Sequence, residues 1–461
     1  MKLFSSKKWI AAALTSVLVL SACSSNDEGS SSDSEGGGDG DQVTLNTVFL
    51  GASWGEAARE LAKEYEEETG VKVNVELVGR DAIYQRLALS IAGEADYDLF
   101  NVDYNWIPEF AAADRLLPLD DLIAENNVDL DGYLPRALAL AQWDGNNGSF
   151  GEGGTTYGLP QTIHPHLLWY RADLFNDEAL KAEFQAEYGY ELLPPQTMEQ
   201  FEDAAAFFHG KEVEGTTLSG WAAQGSKGFG NVHTWLSFVY SNGGDVIDWD
   251  KMESSLTTPE VVEATQTWVD LLEYSPGGIN EYTFAEVAAD ASAGRLAMAI
   301  HWSWSSFEVD DASLSQTVGD WEFTQIPTME TSAPHLAGWV NVIPRTSKNP
   351  EEAFKFLAWL QNEDNDVAQA LMGAGDPVRT ASYTNEELTG AMIEGTETER
   401  FRRYEPLEGA MESAMARPFF PQEEKWESVV SEYLSAVQVG QMTVEEALEQ
   451  ADEAVNNMLD N

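Results

Sequence analysis

The sequence predicts an α/β protein built in two lobes, each a parallel-type sheet flanked by helices. Residues 44–103 read as β-α-β-α-β, the pattern of a parallel sheet with helices on its faces. The folded stretch, about 420 residues, exceeds what one core usually supports, so two or more lobes are expected. Apolar residues make up 43% of the chain, which marks it as globular despite its heavy charge.

The elements follow in order. "TLNTVFL" (44–50) reads as a strand. "GEAARELAKEYEEETG" then places Ala58, Leu61, Ala62 and Tyr65 on one helical face, with Gly70 as the stop. "VKVNVEL" alternates Val71, Val73, Val75 and Leu77 as a half-buried strand. A helix through "IYQRLALSIAG" and a strand in "YDLFNVD" (97–103) complete the unit. Ligands gather beyond the C-terminal ends of such strands. This puts Trp54 and Glu56, with Asp103, Tyr104, Asn105 and Trp106, near one crevice. The Gly-rich "WDGNNGSFGEGGTTYG" (143–158) is a loop. "LPQTIHPHLLWYR" restarts extended structure, and "PPQTMEQFEDAAAFF" (194–208) begins a capped helix. "GRLAMAIHWSWSSF" (294–307) is a buried strand with an aromatic end. "NPEEAFKFLAWLQNED" (349–364) is an amphipathic helix. "TVEEALEQADEAVNNML" (443–459) closes the chain with Val444, Ala447, Leu448, Ala451, Val455 and Met458 on one face.

The N-terminus is of another kind. Lys2, Lys7 and Lys8 precede "WIAAALTSVLVL", an apolar stretch of signal-peptide length and too short for a comfortable membrane span. Leu20-Ser21-Ala22-Cys23 then resembles the lipobox of bacterial lipoproteins, whose thiol is acylated and becomes the new N-terminus. Cys23 is the only cysteine, so no internal disulfide is expected. Residues 24–42 are Ser, Gly, Asp and Glu without an apolar anchor, as in a flexible tether.

With 79 acidic against 25 basic residues the net charge is −54. Nucleic acid is excluded as a partner, because binding it needs a basic surface. Anionic lipid repels the chain, so membrane contact is expected only through the anchor. So large an acidic excess favours solubility and points to a saline or alkaline medium.

Several motifs bear on chemistry. Gly51-Ala-Ser53-Trp-Gly55 matches G-x-S-x-G after a strand and before a helix, as a nucleophile elbow does. Only the tether precedes that strand, however, whereas an elbow draws part of its oxyanion hole from earlier strands. Carboxylate pairs carry no information in so acidic a chain. His164-Pro-His166 lacks Cys or His companions at metal spacing, and no metal or cofactor is expected. "GSKGFG" (225–230) lacks the strand context and the ending of a phosphate loop. The aromatics stand out, with 15 Trp, 15 Tyr and 20 Phe. Most fill cores, but Trp302 and Trp304 stand at a strand's end on what reads as one face. Trp339 and Trp54 also sit at turns or strand ends. Flat rings beside Asp, Asn, His and Arg suit a ligand with apolar faces and many hydroxyls.

In this order the motifs resemble the extracellular solute-binding proteins of bacterial ABC importers, in the large carbohydrate-uptake family. "AARELAKEYEEETGVKVNVE", "YDLFNVDYNWIPEFAAADRLLPLDDL", "TTYGLPQTIHPHLLWYRADLF" with "PPQTMEQFEDAA", "AGRLAMAIHWSW", "GWVNVIPRTSKNPEEAFKFLAWL" and "GDPVRTASY" carry the likeness, which covers nearly the whole chain. It implies a periplasmic-binding-protein-like fold, two α/β lobes with a ligand cleft between them and crossings near 158–162, 280–284 and 330–337. The implied division is a signal peptide at 1–22, a tether at 23–42, lobe one at 43–158 plus 283–332, and lobe two at 159–282 plus 333–461. Family positions matching Trp54, Asp103, Trp302, Trp304, Trp339, Asp376 and Arg379 contact ligand. Glu56, Tyr104, His164 and His166 join them as candidates, although the two histidines depart from the commoner residues of their strand. The implied function is capture of a neutral sugar, oligosaccharide or polyol by a monomer lipidated at Cys23 on the outer face of the membrane. Delivery is to the transmembrane permease subunits, with no catalytic residue and no cofactor. The competing reading is a secreted carbohydrate-active or ester hydrolase using Ser53 or a carboxylate pair.

Overall fold

The structure, a computed structural model, describes residues 43–148 and 150–460. The signal peptide, Cys23 and the tether lie outside the described residues. The opening unit is β1 (Thr44–Leu50), α1 (Ser53–Thr69), β2 (Lys72–Val78), α2 (Arg80–Ile91) and β3 (Leu99–Asp103), with β1 parallel to both β2 and β3. Helix α1 buries Ala58, Leu61, Ala62 and Tyr65, and it ends where Gly70 turns left-handed at φ 76°. Gly55 fixes how α1 leaves the sheet. A Cβ there would stand 2.0 Å from the Leu50 carbonyl oxygen, so only glycine lets the first turn press against the end of β1. The second glycine of G-x-S-x-G is thus a packing requirement.

Six further strands extend the sheet: β4 (Gly158–Arg171), β5 (Ser219–Ala222), β6 (Leu296–Trp302), β7 (Trp321–Thr324), β8 (His335–Val342) and β9 (Met415–Ala416). Their order is β2-β1-β3-β8-β4-β6-β5, with β7 added to β4 and β9 to β8. The pairs β6/β5 and β8/β9 are parallel, while β3/β8, β8/β4, β4/β6 and β4/β7 are antiparallel. The sheet is therefore mixed, with parallel strands toward its ends and antiparallel crossings in the middle. Strand β4 spans about 45 Å at the usual rise. Its residues 158–165 pair with β8 and its residues 166–170 with β6, so one strand serves both halves of the sheet.

Two apolar clusters cover the sheet. The first is built on β1, β3, α1 and α2, and it includes α5 (Pro350–Leu360) and α6 (Glu363–Leu371). Phe356 of α5 meets Tyr65 of α1 with ring centroids 5.1 Å apart. The second gathers α3 (Phe229–Ser241), α4 (Pro259–Leu271), α7 (Glu423–Gln438) and α8 (Val444–Leu459). This packing differs from the division implied by the sequence, which gave 333–461 whole to the second lobe. Strand β8 returns the chain to β3, so α5 and α6 pack on α1, and apart from Ala333 and Met415 the chain joins the second cluster from Phe420 onward. Residues 283–332 are likewise shared, since β6 turns Ala299 and Trp302 to one cluster and Met298 and Ile300 to the other. Among the described residues no helix is long and apolar enough to cross a membrane.

Candidate functional site

The register of the sheet assembles one row of side chains. Asp103 lies opposite Trp339, Ala337 opposite His164, and His166 opposite Trp302. Directly opposed residues of antiparallel strands share a face, as do residues two apart on one strand. Asp103, Trp339, Ala337, His164 and Trp302 therefore point the same way, into a cavity of about 510 Å³. The turns after β1 and β2 add Ser53, Trp54 and Arg80 from the first cluster's side. The start of α3 adds Phe229 and His233 from the other, and the turn after β6 adds Trp304 and Phe307.

The rings are held by specific contacts. Trp54 meets Trp304 edge-on at 5.3 Å, Trp339 at 5.9 Å and His164 at 5.8 Å. Its indole N–H donates to Asn101 Oδ1 at 3.2 Å, and its carbonyl accepts from Gln161 Nε2 at 3.1 Å. Trp302 rests on His166 at 4.0 Å. His166 in turn meets Ser237 Oγ through Nδ1 at 2.9 Å. Trp304 does not share a strand face with Trp302, because β6 ends at Trp302 and Trp304 lies in a 3₁₀ turn, Ser303–Glu308. Both reach the cavity, one from the strand and one from the turn.

Charge is concentrated at one wall. Arg417, fully buried, donates through Nη2 to Asp103 Oδ1 at 2.8 Å and to Asn105 Oδ1 at 3.0 Å, and through Nη1 to Glu427. Arg80 donates to Asp103 Oδ2 at 3.0 Å and to Glu424. Burial alone would raise the Asp103 carboxyl, but Arg417 and then Arg80 hold it below its ordinary value. Burial pushes Glu423 well up, against the pull of Arg417. Both guanidinium groups are thus matched by carboxylates, and neither offers a naked positive charge.

Three polar side chains remain open. Burial drives His164 down to about 3, and burial with Arg417 drives His233 well below its ordinary value, so both imidazoles are neutral. Among the described residues, His164 Nδ1, both ring nitrogens of His233 and Ser53 Oγ are buried without a hydrogen-bond partner. A neutral imidazole offers one donor and one acceptor, which matches a hydroxyl group.

Of the candidates expected from sequence, Trp54, Asp103, His164, Trp302, Trp304 and Trp339 meet at this cavity. Five do not line it. Glu56 is exposed and pairs with Arg59. Tyr104 is buried, accepts from the Arg417 N–H at 2.8 Å and stacks on Phe419. His166 lies behind Trp302. Asp376 accepts from Arg403 Nε at 2.8 Å and from Ser303, bracing the turn that carries Trp304. Arg379 sits 3.8 Å over Tyr133 and donates to the carbonyls of Gln361 and Asp129. Sequence reasoning missed Arg80, His233 and Arg417. A lone arginine in the acidic stretch "MARPFFPQEE" was the available signal for the last. No group of three or more His, Cys, Asp or Glu among the described residues is arranged to hold a metal ion.

The profile of the bacterial extracellular solute-binding proteins matches residues 51–367. The chain belongs to that family. As a solute-binding protein it binds and does not catalyse, and the hydrolase reading through Ser53 has no support. A curated relative from Sinorhizobium fredii, a probable amino-acid ABC transporter periplasmic-binding protein, is 24% identical over 338 residues, 72% of each chain. The diacetylchitobiose-binding protein DasA of Streptomyces coelicolor is 23% identical over 371 residues, 77% of this chain and 79% of the relative. Among solved structures, an ABC-transporter solute-binding protein from Agrobacterium radiobacter in complex with ribitol superposes with a TM-score of 0.76 at 22% identity. That match covers 90% of this chain and 98% of the other, so the solute-binding protein shares the two-lobe fold of that structure.

Proposed function

We propose that this solute-binding protein captures a neutral sugar or polyol in the cavity at Trp54, Trp302, Trp304 and Trp339 and delivers it to the permease of an ABC importer. The observation that carries the reading is the pairing of four tryptophans with neutral His164, with Ser53, and with a neutral His233 that makes no hydrogen bond although Glu427 stands 3.4 Å from its Nε2. Flat rings suit the C–H faces of a sugar, and the open polar atoms suit its hydroxyls. The carboxylate-matched state of Arg80 and Arg417 favours a neutral solute over a phosphate or a carboxylate. A relative named for diacetylchitobiose and a solute-binding protein solved in complex with ribitol support the same class. In this reading the protein is a monomer, acylated at Cys23 and held outside the membrane by the 23–42 tether. The lobes close on the cavity and open on docking to the transmembrane subunits.

The test is a thermal-shift screen of neutral sugars and polyols beside sugar phosphates and amino acids, followed by calorimetric titration. A ligand at a hundred times its Kd stabilises by about 2.7 kcal/mol, a shift easily read. Binding of sugars or polyols that is lost in Trp339→Ala supports the assignment. A response confined to amino acids or phosphates overturns it.

A further inference from the structure

A second cavity of about 310 Å³ adjoins the first, and Phe307 is a wall of both. Beyond that ring the groove presents Asp310, Asp311, Glu394 and the guanidinium of Arg400. The Phe307 ring lies 6.1 Å from Trp304, which meets Trp54 edge-on at 5.3 Å, so the three rings form a continuous track from one cavity to the next.

Arg400 is the anomaly. In a chain with 79 acidic residues and 25 basic ones, its half-buried guanidinium makes no ion pair or hydrogen bond among the described residues. Its contact is with a ring, the guanidinium carbon standing 5.3 Å from the centroid of Phe401. Burial and the neighbouring Arg403 lower its pKa. The nearby carboxylates are partly occupied. Asp310 takes Arg402 at 2.8 and 3.0 Å, and Asp311 accepts from the backbone and hydroxyl of Ser313, both at 2.7 Å. An aromatic wall, an uncommitted fork of donors and carboxylate oxygens with spare lone pairs form a hydroxyl-binding set.

We propose that this groove is a second saccharide subsite, that Arg400 is its specificity-determining residue, and that the preferred solute is therefore a disaccharide or longer glycan. The proposal rests on the sugar-binding reading given above. One ring occupies the tryptophan cavity. The next passes along Phe307 and takes hydrogen bonds from Arg400, with the carboxylates of Asp310 and Asp311 accepting from its hydroxyls.

The test titrates the full chain with matched pairs: glucose against maltose and cellobiose, N-acetylglucosamine against its β-1,4 dimer, xylose against xylobiose, with mannitol and ribitol beside them. At least one dimer should bind tenfold or more tighter than its monomer. Arg400→Ala should remove that gain and leave the monomer's affinity within about threefold of wild type. Met392→Trp, which fills the groove from an exposed position, should do the same without touching Arg400. Monomers or polyols binding as tightly as every dimer overturn the subsite, as does an Arg400→Ala variant that weakens monomer and dimer alike. Failure of every sugar and polyol to bind overturns instead the reading on which the subsite rests.

Discussion

The indole N–H of Trp106 donates to the carboxylate of Glu424 at 2.5 Å, joining the end of β3 to the first turn of α7. The same carboxylate takes Arg80, so one side chain of the second cluster fastens two residues packed with the first. Glu424→Gln keeps an oxygen for Trp106 and removes the charge facing Arg80. Hydrogen bonds to charged groups contribute about 1.5–3 kcal/mol, and the partial exposure of Glu424 puts this one at the low end. The expected result is a solute affinity three- to tenfold weaker and a larger radius of gyration without ligand, read by calorimetry and small-angle scattering. Unchanged affinity together with an unchanged scattering curve would show that Glu424 does not hold the clusters together.

Acid stability carries the signature of buried neutral histidines. His301 is fully buried against Trp169, and burial drives it down to about 3 from an ordinary 6.5. A base depressed in the folded state binds fewer protons there than when unfolded. Its contribution is therefore complete above pH 6.5 and is lost as pH falls toward 3, at about 1.4 kcal/mol per unit. His301→Gln lacks this titration, so its stability relative to wild type should improve by that amount per unit below pH 6.5. Urea denaturation at pH 7.5, 5.5 and 4.5 reads the difference. Parallel curves would mean that His301 takes up its proton as readily in the folded protein as in the unfolded chain.

Trp302 and Trp304 should separate on mutation. Trp302 is wedged among His164, His166, His233 and His335, so Trp302→Ala is expected to cost about 3–5 kcal/mol of stability. Trp304 faces the cavity from a turn. Trp304→Ala should cost about 1–2 kcal/mol of stability and at least tenfold in solute affinity. Melting without ligand and titration with it give both numbers. Equal stability losses with intact binding would assign both rings to the core alone.

Salt should stabilise the protein. A net charge of −54 repels itself, and the repulsion is screened over about 8 Å at physiological ionic strength. The melting temperature is expected to climb from low to molar NaCl. A flat or falling dependence would count against a saline habitat.

Cys23→Ala should release the protein from the membrane fraction of a native-like host and abolish its partition into detergent. A variant that stays membrane-bound would place the anchor elsewhere.

Local pattern made the opening unit legible. The periodicity of Ala58, Leu61, Ala62 and Tyr65, the stop at Gly70 and the capped start of the helix in 194–208 are short-range signals, and the structure realises each. Trp54, Asp103 and Trp302 could be suspected because each stands at a strand end or beside a turn, whereas His164 and Trp339 lie inside β4 and β8, where only the register of the sheet brings them to the same face. The charge network at the cavity wall had no such mark. Arg417 meets Asp103 across 314 positions, and Glu424 meets Arg80 across 344, separations at which spacing carries no information. Asp376 and Arg379 misled for the opposite reason. They stand in a loop that resembles a family landmark, yet their side chains are spent on Arg403, Ser303 and backbone carbonyls.

Strand β4 serves both halves of the sheet without a break in its backbone, and that continuity bears on how the protein melts. Unfolding either apolar cluster alone would strip hydrogen-bond partners from a strand that the other still needs, leaving a long unpaired edge. The halves are thereby coupled thermodynamically, and heat should disrupt them in one cooperative transition whose calorimetric and van't Hoff enthalpies agree.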